Sequence, residues 1–298
     1  MSNSVSAIIV TYNRLHELRK SLTALTNIPS NLLTSIIVIN NASNDGTKDY
    51  LYGFSQNKRI KIIDLSENTG GAGGFNAGIR YFYEKSRTEF AWLMDDDTIV
   101  TENSLRELLE ATKLIKASFY SSDVRWVDGS PALMNVVRKT GDFGNGLKKI
   151  EKATFVSLMI PRKFITRVGF PQKEYFIWGD DMEYTERLSR FSPGCFVTSS
   201  KVIHEINSNI ASGDIFHENN PDRISRYYYE YRNRLVTGKR RKNFFIIIRP
   251  FIHTFIDFSK VIFGKTKYKS EKIKLIVKGT KDGIFFNPKI EYPSKKEE

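Results

Sequence analysis

The apolar positions of the N-terminal third fall into short unbroken runs separated by amphipathic stretches. Val5–Val10, Ser35–Ile39, Ile60–Ile63 and Phe90–Met94 read as strands, while Leu15, Leu18, Leu22 and Leu25 recur at helical spacing between the first two. Runs that are apolar at every position belong to strands buried on both faces, so the pattern predicts a mostly parallel α/β sheet covered by helices. On such sheets ligands bind at the carboxyl ends of the strands. Thr11-Tyr12-Asn13-Arg14, Asn40-Asn41, Asn68-Thr69-Gly70 and Asp95-Asp96-Asp97 all fall at those ends, which predicts one site built from four loops.

Beyond Phe119 the pattern turns to mixed β, with Ala153–Ile160 as its clearest strand, then a helix over Asp180–Arg190 and a strand over Cys195–Ile203. After Asp222 it changes again, to Tyr227-Tyr228-Tyr229-Glu230-Tyr231-Arg232-Asn233, the basic run Lys239–Lys242 and a long apolar stretch. The expected division is a catalytic domain over 1–222 and a helical tail over 223–298.

Three acids closing an apolar strand are costly without a cation among them. In an extended chain Asp95 and Asp97 share a face and converge on one ion, and their hard oxygens suit Mg²⁺ or Mn²⁺. The alternative is helix capping by Asp97 or Thr98 ahead of Leu105, Leu108 and Leu109. Five glycines lie within Asn68–Gly78, where main-chain amides approach a diphosphate or sugar closely, or where the chain merely turns. No Gly-Lys-Ser/Thr follows, so this is not a P-loop. In Trp178-Gly179-Asp180-Asp181-Met182-Glu183, one carboxylate caps a helix while the other serves as a base, or both simply favour a helix N-terminus. His204 ends a strand and is a candidate third metal ligand, with His217 as its competitor; His16 and His253 are not favoured.

The chain has 298 residues and a net charge of +13. Residues 1–222 hold 26 Lys/Arg and 26 Asp/Glu, whereas 223–298 hold the other 20 and 7. A neutral body with a basic tail points to a localised anionic partner. In Asn243–Phe263 the polar residues Arg249, His253, Asp257 and Lys260 follow at spacings of four, four and three, leaving an apolar face with Phe244, Ile248, Phe251, Phe255 and Ile262. No charge-free run is long enough to span a bilayer. A helix lying in the anionic membrane interface is expected, against packing on the body or self-association as a homo-oligomer. Nucleic-acid binding by the tail leaves the acids unexplained and is not expected. A single cysteine, Cys195, and the lack of a signal h-region make cytoplasmic the expected compartment.

Taken together, Ala7-Ile8-Ile9-Val10-Thr11-Tyr12-Asn13-Arg14, the Asn40–Thr47 turn, the glycine stretch, the Asp triplet and the Trp178–Glu183 box resemble the family 2 glycosyltransferases of the GT-A fold, a Rossmann-like α/β architecture. The likeness runs from Val5 to about His204 and is nearest in motif to bacterial galactofuranosyltransferases, with rhamnosyltransferases of surface polysaccharides sharing much of it. It implies an inverting transfer from a UDP-sugar, UDP-galactofuranose first and dTDP-rhamnose as the alternative, to a hydroxyl of a lipid-linked glycan such as O-antigen. A polyprenyl-phosphate sugar transferase shares the early motifs. By the family pattern Asp95, Asp97 and His204 would hold Mn²⁺ or Mg²⁺, and Asp181 would be the base, with Asp180 its rival. Thr11, Asn13, Arg14, Asn40, Asn68, Gly70, Gly71, Asp95 and Asp96 would line the nucleotide pocket, and Trp178, Gly74 and Asn76 the sugar side. Asn40 stands where many relatives carry Asp. The implied location is peripheral, on the cytoplasmic face of the inner membrane.

Overall fold

The computed structural model of the chain describes residues 4–206, 208–209, 213–241 and 244–294, with 244–247 described as backbone alone. Lys242, Asn243 and residues 295–298 of the expected tail lie outside the described residues. The elements run β1 (Val5–Thr11), α1 (Leu15–Thr26), β2 (Leu33–Asn40), α2 (Thr47–Tyr52), β3 (Ile60–Asp64), α3 (Gly70–Lys85), β4 (Phe90–Asp95), β5 (Thr98–Ile99), α4 (Glu102–Leu114) and β6 (Tyr120–Arg125). They continue as β7 (Lys139–Gly144), β8 (Leu147–Ile150), β9 (Leu158–Pro161), α5 (Arg162–Val168), α6 (Asp180–Ser189) and β10 (Gly194–His204). Four helices follow: α7 (Pro221–Ile224), α8 (Tyr227–Lys239), α9 (Phe244–Phe263) and α10 (Lys269–Phe285). By their internal contacts the residues fall into two units, one of Met1–Lys173, Asp181–Ile210 and Ile290–Glu298, the other of Glu174–Asp180 and Ala211–Lys289.

The first unit is built on one sheet in the order β3-β2-β1-β4-β9-β6-β10-β8-β7, with β5 added beside β10. The pairs among β1, β2, β3 and β4 are parallel, as is β6 with β10, while β9 runs antiparallel to both β4 and β6. The unbroken apolar runs have the cause expected of them. Ala7 and Ile9 of β1 pack with Leu18, Leu22 and Leu25 of α1 on one face, and Ile8 and Val10 pack with Phe75 and Ile79 of α3 on the other. Register sets the carboxyl ends side by side: Asn40 lies beside Thr11 and Asp64, and Asp95 beside Val10.

Two local expectations are corrected. Of the expected Ala153–Ile160 strand only residues 158–160 are strand, in β9, which runs on to Pro161. Ser157 sits at φ 56, and this turn lets its hydroxyl take the Trp92 indole N–H at 3.0 Å and meet Ser122 Oγ at 2.7 Å. The glycine stretch is helix rather than loop, since α3 starts at Gly70. Its glycines serve close packing: a Cβ on Gly74 would meet Val10 at 2.3 Å, and one on Gly78 would meet Ile8 at 2.4 Å. At Gly71, by contrast, a Cβ would find nothing within 4 Å.

In the second unit α8 and α10 pack closely, because a Cβ on Gly279 would meet the Tyr228 carbonyl at 2.5 Å. The polar stripe expected to face water on α9 is broken at Asp257. Its carboxylate accepts from Tyr231 Oη at 3.1 Å and pairs with Arg234 at 3.2 Å, donors that α8 offers it. Arg249, His253 and Lys260 of that stripe are exposed, and so are Phe251, Ile252, Phe255 and Ile256. Among the described residues no helix is long and apolar enough to cross a membrane.

Candidate active site

The loops after β1 and β2 are laced together by side chains. Asn13, at φ 53, takes the Asn44 N–H on its Oδ1 at 2.7 Å, while its own N–H donates to Ser43 Oγ at 3.1 Å. Asp45 takes the first N–H of α1, from Leu15, at 2.9 Å. Asn40 donates to Asp64 at 2.6 Å, and its Oδ1 accepts from Ser43 N–H at 3.1 Å. Asn41, which sequence reasoning left without a role, ties β2 to the start of α3. It donates to Asn68 Oδ1 at 3.1 Å and to the Gly70 carbonyl at 2.9 Å, and accepts from Thr69 N–H at 2.9 Å. Asn68, Gly70 and Gly71 are thereby held at the N-terminus of α3, where backbone N–H groups have no helical partner and favour an anion. Gly74 and Asn76 have other partners: Gly74 lies against Val10, and buried Asn76 donates to the Pro171 carbonyl at 2.6 Å.

The Asp triplet leaves β4 in a turn rather than an extended run, and the convergence of its acids comes from β10. Thr98 pairs with His204 across the β5–β10 ladder, and Glu205 N–H donates to the Asp97 carbonyl at 2.9 Å. Asp95, Asp97 and His204 each place a ligand-type atom within 4.8 Å of the others. His217, the competitor, pairs with Asp214 in an exposed turn. Helix capping is not what the acids do. The N-cap of α4 is Thr101, which exchanges hydrogen bonds with Ser104 at 2.9 and 3.1 Å.

Charge explains the rest of the cluster. Arg14 reaches Asp97 Oδ2 at 2.9 Å and lies 3.5 Å from Asp96 Oδ1. Burial pushes the Asp96 carboxyl up to about 8 against the pull of Arg14, and repulsion from Asp97 adds to the rise. Asp95 is raised by burial and by its neighbour Asp97. Burial works to raise Asp97 as well, but the His204 hydrogen-bonding contact and charge, with Arg14, hold it below the usual carboxylate range. Burial alone would lower His204, and the two acids more than reverse this.

These residues suit a divalent cation. Asn135 donates through Nδ2 to Thr154 at 2.9 Å, so its Oδ1 faces His204 Nδ1 at 2.9 Å and accepts that proton. Nε2 is then the nitrogen left for the acids, and it points to Asp97 Oδ1 at 3.0 Å. That oxygen is buried and accepts no well-directed hydrogen bond among the described residues. An imidazole nitrogen and two carboxylates gathered this closely are the donor set of a hard or borderline metal ion, which would take the place of the proton between Nε2 and Asp97. Asn135 was not found by sequence reasoning, and nothing in its neighbours marks it.

The Glycosyl transferase family 2 model matches residues 6–176, more than half of the chain. The chain belongs to glycosyl transferase family 2. It is a glycosyltransferase, and its sheet and flanking helices are those of the GT-A fold. A galactofuranosyltransferase, GlfT1 of Mycobacterium tuberculosis, is 27% identical over 254 residues, covering 78% of this chain and 82% of the relative. A poly-beta-1,6-N-acetyl-D-glucosamine synthase of Staphylococcus epidermidis is 27% identical over 111 residues, 37% of this chain and 25% of the relative. Among solved structures, S. aureus TarS 1–349 in complex with UDP-GlcNAc superposes with a TM-score of 0.59 at 11% identity, covering 93% of this chain and 81% of that one. GalNAc-T7 with UDP, GalNAc and Mn²⁺ gives 0.57 at 15% identity, covering 78% of this chain and half, 50%, of that one. At such identities the structural likeness shows the fold alone.

In this family 2 chain the aromatic–glycine box opens α6 at Asp180. Asp180 is buried and Asp181 half-buried, with Asp181 Oδ1 accepting from Met182 N–H at 2.6 Å. Trp178 stands at φ 64 and meets Tyr227 edge-on at 5.2 Å between ring centroids. Glu183 pairs with Arg187 at 3.0 Å one turn along, which accounts for the last acid of the box as a helix contact.

Proposed function

We propose that this glycosyltransferase moves a sugar with inversion from a nucleotide sugar, UDP-galactofuranose first among donors, to a hydroxyl of a lipid-linked cell-surface glycan. The observation that carries the reading is the meeting of Asp95, Asp97 and His204 at the carboxyl edge of the sheet of a family 2 chain. The galactofuranosyl assignment rests on GlfT1, whose likeness extends well past the family-model match.

Asp95, Asp97 and His204 would hold Mn²⁺ or Mg²⁺, which would offset the charge gathering on the departing nucleoside diphosphate. Thr11, Asn13, Arg14 and Asn40, with Asn68, Gly70 and Gly71 at the start of α3, bind and orient the nucleotide. Asp181 takes the proton of the acceptor hydroxyl, with Asp180 as its rival. The freed oxygen electron pair forms the new bond to the anomeric carbon, and the bond to the diphosphate oxygen breaks on the opposite side, its electrons leaving with the nucleotide. Arg14, tied to Asp96 and Asp97, keeps the loop after β1 in register with the acids.

The tail, residues 223–298, is read as a membrane-facing appendage on the cytoplasmic side. Phe251, Ile252, Phe255 and Ile256 give α9 an exposed apolar face, and the tail carries the chain's excess positive charge, as interfacial binding to anionic lipid requires.

The test is UDP or dTDP release from a panel of nucleotide sugars, with Mn²⁺ and with lipid-linked glycan acceptors. Turnover of UDP-galactofuranose supports the full reading. Turnover of dTDP-rhamnose alone replaces the donor, use of polyprenyl phosphate itself replaces the acceptor class, and no metal-dependent turnover overturns the reading.

A further inference from the structure

The Glu174–Asp180 segment lies far from the tail in sequence, yet it belongs by contacts to the helical unit. It is also conformationally costly. Phe176 and Trp178 both stand at φ 64, a region that bulky L-residues avoid, and Gly179 follows at φ 87. Such a turn persists only where its surroundings over-determine it.

The surroundings are α8. Buried Asn233 directs its amide nitrogen at three carbonyls of the turn, Tyr175 at 3.0 Å, Ile177 at 3.1 Å and Trp178 at 2.9 Å. The sense of that amide is fixed by Arg232, whose Nε and terminal nitrogen donate to Asn233 Oδ1 at 3.1 and 3.0 Å. The same guanidinium donates to the carbonyls of Glu174 at 2.6 Å and Tyr175 at 3.2 Å. Phe176 stacks on Tyr229 at 4.8 Å, and Tyr227 meets Trp178 edge-on. Four of the seven members of the Tyr227–Asn233 run, Tyr227, Tyr229, Arg232 and Asn233, thus grip one turn.

We propose that Arg232 and Asn233 are positioning residues for glycosyl transfer, fixing the Phe176–Gly179 turn from which the chain passes directly through Asp180 to Asp181. The inference rests on the reading of Asp181 as the base. Asn233 is suited to the task because an amide offers two N–H groups to several carbonyls, with its oxygen taken up by Arg232. A carboxylate of the same size would face those carbonyls with no donor at all.

The experiment compares the full-length wild type with Asn233→Asp, Arg232→Lys and Asp181→Asn. It follows steady-state turnover with the best donor of the panel above, UDP affinity in Mn²⁺, and the fluorescence of Trp178 by difference against Trp178→Phe. For Asn233→Asp the expected result is a fall in kcat of about a hundredfold, as for a misplaced catalytic group. UDP affinity should stay unchanged, and the Trp178 emission should change. Arg232→Lys keeps the charge and loses the planar fork, so it should fold and show the same split to a smaller degree. Wild-type turnover in either folded variant, or loss of UDP affinity in step with turnover, overturns the proposal. Should Asn233→Asp not fold, Arg232→Lys decides. Full turnover by Asp181→Asn would instead overturn the reading of the base, whatever the two clamp variants do.

Discussion

Asn135 Oδ1 lies 2.9 Å from His204 Nδ1, across 69 residues of chain, and so decides which imidazole nitrogen faces the acids. With Nδ1 holding the proton, Nε2 is left for Asp97 and for any cation the two share. Replacing Asn135 by Ala removes that orientation without touching a proposed ligand. Mn²⁺ affinity, read by calorimetric titration, is expected to fall by about tenfold, the usual scale for a partner behind a metal-bound histidine. Unchanged affinity would show that His204 needs no such support or binds no metal.

The glycines of α3 divide by what surrounds them. At Gly74 a Cβ would lie 2.3 Å from Val10 Cγ1, so Gly74→Ala is expected to destabilise the fold by about 1–3 kcal/mol, the range for overpacking. At Gly71 nothing lies within 4 Å, so Gly71→Ala should leave the melting temperature unchanged or raise it. Thermal melts of the two variants check this; equal losses would contradict the packing account.

Glu291 sets an acid limit on one part of the first unit. The hydrogen bond from Lys173, at 2.7 Å, and the charges of Lys173 and Arg80 hold its carboxyl below the ordinary glutamate value, while burial opposes them. Because the folded pKa is depressed, the stability it contributes is present above the ordinary value of 4.5 and is lost as pH falls through the lower folded one. Its main-chain carbonyl also takes the Phe170 N–H at 2.8 Å. The protection of the Phe170 amide against hydrogen exchange, taken relative to its intrinsic rate at each pH, should therefore fall at acid pH in the wild type and show less of this pH dependence in Glu291→Gln. A pH dependence equal in both would contradict it.

The tail makes its own prediction. Phe251 and Phe255 are exposed on α9, and burying two phenylalanines in an interface should strengthen binding by more than tenfold, at about 1.5–3 kcal/mol each. Phe251→Ser with Phe255→Ser is expected to release the protein from phosphatidylglycerol vesicles in a sedimentation assay, and added salt to weaken wild-type binding. Vesicle binding that is equal in the double variant would move the tail's function elsewhere.

Much of the sheet was legible because Ile8, Ile9, Ile37 and Val38 are apolar on both faces, a pattern that needs no tertiary information. The Asp triplet and His204 were legible by chemistry, although their meeting depends on a β5–β10 ladder that no local signal announces. Where reading by runs failed, a long-range partner had intervened. Ser157 leaves the extended region to reach Trp92 and Ser122, and Asp257 turns inward because Tyr231 and Arg234 offer it donors. The glycines after Asn68 signal close approach, but sequence does not say that the neighbours are Val10 and Ile8 rather than a ligand. Asn135 and Asn233 were invisible as contacts, since asparagine carries no periodic signature.

The most direct test of the central claim is a side-by-side measurement of turnover and UDP affinity in Mn²⁺ for wild type and Asp181→Asn. A base that accepts the acceptor's proton contributes to the reaction and not to nucleotide binding. The expected result is loss of turnover by at least about a hundredfold with UDP affinity unchanged. Turnover near the wild-type rate would contradict the account of this site.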